Sequence, residues 1–155
     1  MASLEERVEQ LEAIEAIRRL KIAYARVADE GYDGDRISAM FTEDGVWDGG
    51  EAFGVHNGKA EIKELFDGIP EQISFALHYM VGHTIDIDAS GQSATGHWYL
   101  WAPMTINNQA TLGAITYDDQ YRKVDGTWYA SRMQVNVHFI TPYEDGWVKT
   151  PMIEG

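Results

Sequence analysis

Three features of the chain predict an α+β domain in which an antiparallel sheet curls over N-terminal helices. A helical apolar period runs through the N-terminal region, a series of strand-like segments fills the second half, and Asp125-Gly126 gives a two-residue hairpin signal between the last two. At 155 residues with 45% apolar and 12% aromatic side chains, the expectation is one domain over 1–155, with 143–155 a loosely held tail.

Each element has its own local reason. Ser3 followed by Glu6 reads as a capping box, and Leu4, Val8, Leu11, Ile14, Ile17, Leu20, Tyr24 and Val27 recur every three or four positions. One long amphipathic helix is expected, ending near Glu30-Gly31, where glycine suits a left-handed C′ position. A short helix over 35–41 would turn Ile37, Met40 and Phe41 inward, with a turn at 42–45, a strand at 46–48 and a loop over 49–58. A helix over 59–66 packs through Ile62, Leu65 and Phe66 and stops at Gly68-Ile69-Pro70. Strands are expected over 75–88, 93–102, 110–124 and 128–139, with a loop from Pro103 to Gln109.

Alternation suggests which faces point inward. In the last strand Met133, Val135, Val137 and Phe139 share the face expected to line a pocket, while Arg132, Gln134, Asn136 and His138 share the other. The preceding strand mixes polar and apolar positions on both faces; Ile115 and Tyr117 are assigned to the pocket. Trp47 and the other tryptophans read as core filling or as the aromatic wall of a cavity.

Composition removes several classes of function. A net charge of −13 opposes nucleic acid and anionic membrane surfaces as partners. Without cysteine there is no disulfide, thiolate nucleophile or Cys-ligated metal. His56, His78, His83, His97 and His138 show neither HxH nor HExxH spacing, and GxSxG and GxGxxG are absent, so no metal and no cofactor are expected. The charged N-terminus and the lack of a long apolar run point to a soluble, cytoplasmic protein.

Two residues could carry acid–base chemistry. Asp29 closes the long helix among Tyr24, Val27 and Ala28; it is either a solvated helix end or a carboxylate that orients a histidine. His78 stands in an apolar strand, either as a hydrogen-bonded core histidine or as a base near neutral pH, with His83 as the rival for the same place. Tyr24 lies five residues before Asp29, and removal of its hydroxyl is expected to leave packing and stability intact.

Leu11-x-x-Ile14-Glu15-Ala16-Ile17-x-x-Leu20-Lys21 followed by Tyr24 and Asp29, then Phe41-x-x-Asp44-Gly45, the run from His78 to Thr84, and Tyr121-x-x-x-Asp125-Gly126-x-Trp128 resemble the SnoaL-like branch of the nuclear transport factor 2-like superfamily. That branch includes scytalone dehydratase, bile acid 7α-dehydratase and hexachlorocyclohexane dehydrochlorinase, and the likeness spans 4–142. It implies a cone-shaped barrel of mixed, mainly antiparallel sheet (cystatin-like) around the helices. It further implies a cofactor-independent lyase that eliminates water, halide or a carbon fragment such as formaldehyde from a small, mostly apolar alicyclic or aromatic molecule, as in aromatic compound catabolism. Asp29, His78 and Tyr24 would be catalytic. Trp47, Arg132, Ile115, Tyr117, Met133, Val135 and Val137 would bind substrate, Arg132 lying near a basic residue of the dehydrochlorinase. A homotrimer would form through the sheet face. The superfamily also hosts ketosteroid-type isomerases, epoxide hydrolases and non-catalytic binding or scaffold modules, and these readings stay open.

Overall fold

A computed structural model describes residues 2–154. Helix α1 (Leu4–Asp29) is unbroken. Ser3 and Glu6 exchange both bonds of the capping box, at 3.1 and 2.6 Å. At the other end Gly31, at φ +112°, donates to the Ala28 carbonyl and Tyr32 donates to Val27, which together make a Schellman motif. The chain therefore reverses at Gly31 and drives the Tyr32 ring back into the core.

Helix α2 (Gly34–Ser38) stops three residues short of the sequence expectation. Phe41 instead begins β1 (Phe41–Asp48), pairing with Ala130. The expected turn at 42–45 lies inside this strand as an irregularity, where the register shifts between Phe41 and Val46. The expected loop 49–58 contains a one-turn helix, α3 (Gly50–Phe53), and a short strand, β2 (Val55–Asn57), before α4 (Gly58–Gly68).

Strand β5 (Ser93–Ile106) runs through Pro103, where the sequence suggests a stop. In an antiparallel ladder the N–H and C=O of one residue face the same neighbour. The Pro103 carbonyl accepts from the Leu77 N–H at 3.1 Å, so the missing proline N–H faces that side too. There the expected strand 75–88 is interrupted, giving β3 (Ile73–Ala76) and β4 (Tyr79–Ile87), both paired with β5. Hairpins join β5, β6 (Gln109–Val124) and β7 (Thr127–Pro142). Their turns are Asn107-Asn108 and Asp125-Gly126, with both residues of each at positive φ, as a tight hairpin requires.

The sheet order is β2-β1-β7-β6-β5-β3, with β4 also on β5; β1 is parallel to β7 and every other pair is antiparallel. The sheet curves without closing, so the architecture is α+β with an open mixed sheet. Its inner face packs on Ile17, Tyr24 and Ala28 of α1, Ile37 of α2, and Ile62 and Phe66 of α4. Two bulges set the faces of β7. Ser131 is skipped between the pairs Gln120–Arg132 and Tyr121–Ala130, and His138 between Ile115–Val137 and Ala114–Phe139. Trp128, Ala130, Met133, Val135 and Ile140 thus all face inward. Phe139 does not: the bulge turns it to the outer face against Trp101 and Trp147, contrary to simple alternation. The C-terminal residues return along β7, with α5 (Gly146–Lys149) and Ile153 donating to the Ile140 carbonyl at 2.7 Å.

Candidate active site

The interruption between β3 and β4 creates the local chemistry. With no strand partner opposite it, the His78 backbone N–H donates to Asp29 Oδ1 at 2.8 Å, and the His78 ring nitrogen Nδ1 lies 2.7 Å from the same oxygen. A carboxylate can only accept, so Nδ1 carries a proton, and in the neutral tautomer that this contact selects Nε2 holds the lone pair. The Asp29 side chain is 24% exposed and that of His78 8%. Asp29 therefore reaches inward from the end of α1 and is not a solvated helix terminus.

Tyr32, which the sequence reading did not single out, stands edge-on to His78 at 5.9 Å and stacks on Phe66 at 6.3 Å. An aromatic residue directly after a C′ glycine was the available signal, because that position folds back onto its helix.

Tyr24 lies deeper, 2% exposed, with Phe66 and Tyr117 edge-on to its ring at 6.0 and 6.3 Å. Its hydroxyl accepts from Trp47 Nε1 at 3.1 Å. Burial pushes the Tyr24 and Tyr32 hydroxyls well above the ordinary phenol range, the indole hydrogen bond on Tyr24 opposing the rise, so both stay protonated at neutral pH. Ile115, Tyr117, Met133 and Val135 are buried on the same inner face, and Val137 packs half-buried against it.

Beneath Tyr24 the interior is ionic, where the sequence suggests only apolar surroundings. Lys21 is 0% and Asp119 2% exposed, and Lys21 Nζ donates to Asp119 Oδ2 at 2.8 Å. That oxygen also accepts from the Tyr121 hydroxyl at 2.8 Å, which itself accepts from Trp98 Nε1 at 3.1 Å. Burial lowers the Lys21 pKa and raises that of Asp119, each opposed by the partner's charge. The missed signal was positional: Lys21 falls between Ile17 and Tyr24 on the buried stripe of α1, where a lysine requires a partner.

Arg132 lies elsewhere. The bulge at Ser131 keeps it on the outer face, ion-paired with Asp48, where it borders an open cleft of about 700 Å³ with Asp44 and Arg122. It is not part of the inner cluster. His83 stacks on Trp98 at 4.6 Å, and His97 and His138 bond to Asp118 and Thr116 on the outer face. Among the described residues no three His, Asp or Glu side chains cluster as a metal site, and no helix is long and apolar enough to cross a membrane.

The chain is similar in fold to a hexachlorocyclohexane dehydrochlorinase (LinA) of type 2, at a TM-score of 0.80 and 20% identity over 87% of this chain and 91% of that one. A candidate scytalone dehydratase from Novosphingobium aromaticivorans DSM 12444 matches at 0.78 and 23%, over 87% and 90%. A candidate aromatic ring hydroxylase from Novosphingobium aromaticivorans matches at 0.78 and 26%, over 87% and 96%. An NTF2-like protein with a cystatin-like fold from the same species matches at 0.70 and 24%, over 88% and 91%. The SnoaL-like domain matches residues 9–134, most of the chain, and the protein therefore belongs to the SnoaL-like domain family.

Proposed function

We propose that the protein is a lyase in which Asp29-oriented His78 removes a proton from a small, mostly apolar, alicyclic or aromatic substrate. The observation that carries this reading is the double acceptance by Asp29 Oδ1, from the backbone N–H and the ring Nδ1 of His78. Two bonds to one oxygen fix both the position and the tautomer of the imidazole and leave Nε2 as the base.

In the elimination of water or halide His78 Nε2 takes the proton from carbon, the C–H electron pair forms the new double bond, and the leaving group departs with its own bonding pair. In the release of formaldehyde it takes the proton of a hydroxyl, the O–H pair forms the C=O bond of formaldehyde, and the broken C–C pair stays with the remaining fragment. Asp29 stabilises the imidazolium, which then returns its proton to solvent. Tyr24 acts as a hydrogen-bond donor to an oxygen, since burial keeps its hydroxyl protonated. These steps use side chains alone. The fold likeness to a dehydrochlorinase and to a candidate dehydratase supports elimination of halide or water.

The experiment is a mass-resolved screen of chlorinated cyclohexanes, cyclic hydroxyketones and aromatic diols. Products lighter by hydrogen chloride, water or formaldehyde are expected. Products of unchanged mass would instead favour an isomerase using Asp29 itself as base.

A further inference from the structure

The Lys21–Asp119 pair has a direction. Its negative end is clamped by the Tyr121 hydroxyl, backed by Trp98. Its positive end faces the candidate site: Lys21 Nζ lies 3.5 Å from the centroid of the Tyr117 ring and 4.9 Å from that of Tyr24. The remaining Lys21 contact is Met133 Sδ at 3.7 Å, so the ammonium is held among neutral groups except for Asp119.

The pair is also incompletely satisfied. Asp119 Oδ1 is buried with no hydrogen-bond partner, a cost that packing alone does not require, since apolar side chains of similar volume would avoid it. Above the positive end, the Tyr24 oxygen accepts from Trp47 Nε1 and from the neighbouring Tyr117 hydroxyl. Among the described residues no hydrogen-bond acceptor takes the Tyr24 proton.

We propose that Lys21–Asp119 is a positioning pair for this site: it backs Tyr24, and Tyr117 which donates to it, with positive charge, so that the Tyr24 hydroxyl receives a substrate oxygen on which negative charge develops. The substrate class narrows to molecules with a carbonyl beside the reacting carbon: as His78 removes the proton, the C–H pair becomes the carbon–carbon double bond and the carbonyl π pair moves onto the oxygen. The inference rests on the proton-abstraction reading above but is tested without turnover.

The probes are 4-nitrophenol, whose anion absorbs in the visible, and nitrobenzene, which lacks the ionisable oxygen. Both are titrated into the wild-type chain, Lys21→Met/Asp119→Leu, Tyr117→Phe and His78→Ala. The double variant removes both charges together, avoiding the orphaned charge a single substitution would leave. In the wild type, bound 4-nitrophenol should ionise at lower pH than in water, and its anion should bind about tenfold or more tighter than nitrobenzene. The folded double variant should lose about tenfold of that preference and keep its nitrobenzene affinity. Tyr117→Phe, which retains the pair, should lose part of the preference as well, and His78→Ala should keep it.

A wild type without preference for the anion overturns the proposal, as does a folded double variant that retains it. Should the double variant fail to fold, an undiminished preference in Tyr117→Phe overturns it equally. Loss of turnover in His78→Ala bears on the lyase reading alone, so the two ideas fail separately.

Discussion

Replacing Tyr24 by phenylalanine removes one oxygen and leaves the ring against Phe66 and Tyr117. By volume alone the change is nearly neutral. The Trp47 Nε1–H, however, donates to that oxygen at 3.1 Å inside the core, and Trp47 is 5% exposed. Leaving this donor unpaired costs about 1–3 kcal/mol. For a domain of this length each kcal/mol lowers Tm by about 2–4 °C, so a fall of about 2–12 °C is expected. Differential scanning calorimetry of wild type, Tyr24→Phe, Trp47→Phe and the double variant isolates the contribution. With Trp47→Phe in place there is no indole to orphan, and Tyr24→Phe should then cost less than about 0.5 kcal/mol. Turnover of Tyr24→Phe should fall about 10- to 10³-fold, through the lost donor to substrate oxygen. An unchanged Tm, or the same loss in both backgrounds, would refute the hydrogen-bond argument.

Exhaustive dialysis against EDTA should leave turnover unchanged; revival of a dead preparation by zinc or manganese would contradict the mechanism. Arg132→Gln should leave turnover unchanged and cost about 1 kcal/mol or less, because it removes only a partly exposed ion pair with Asp48 on the outer face. Hydrogen bonds from Ser90 and Ser93 hold the Asp88 carboxyl down to about 2 in the β4–β5 loop. Its stabilisation should be fully present above the ordinary carboxylate pKa of about 3.9 and lost as pH falls through about 2; acid melts of wild type and Asp88→Asn should differ least at the acid end.

Local signals were legible where a few neighbouring residues decide the structure. Ser3 with Glu6, Gly31 as C′ and Asp125-Gly126 all act as the sequence suggests, because caps and tight turns depend on residues close in the chain. Asn107-Asn108 carried the same hairpin information, but Pro103 nearby read as a strand end. Its role depends on which neighbour its missing N–H faces, a property of the assembled sheet. Phe139 was misplaced for a related reason: alternation counts residues, and the extra residue His138 resets the count. Arg132 lies on the outer face where alternation put it, and only the resemblance had assigned it to the substrate.

The candidate site divides in the same way. The resemblance pointed to Asp29 and His78, and their contact depends on the gap between β3 and β4. Lys21 and Asp119 are 98 residues apart, and neither alone looks unusual in a chain rich in charge. Only the buried stripe of α1 and the inward face of β6 together bring them into one ion pair.

The central claim is that His78 is the base and Asp29 its orienter. With a substrate from the elimination screen, turnover in D₂O by mass spectrometry is compared for wild type, His78→Ala, Asp29→Ala and the double variant, each shown to be folded by its circular dichroism melt. Each single substitution should lower kcat by about 10²- to 10⁴-fold, and the double variant should be little worse than either, because the two residues act as one unit. Folded single variants that both keep wild-type turnover would contradict the account.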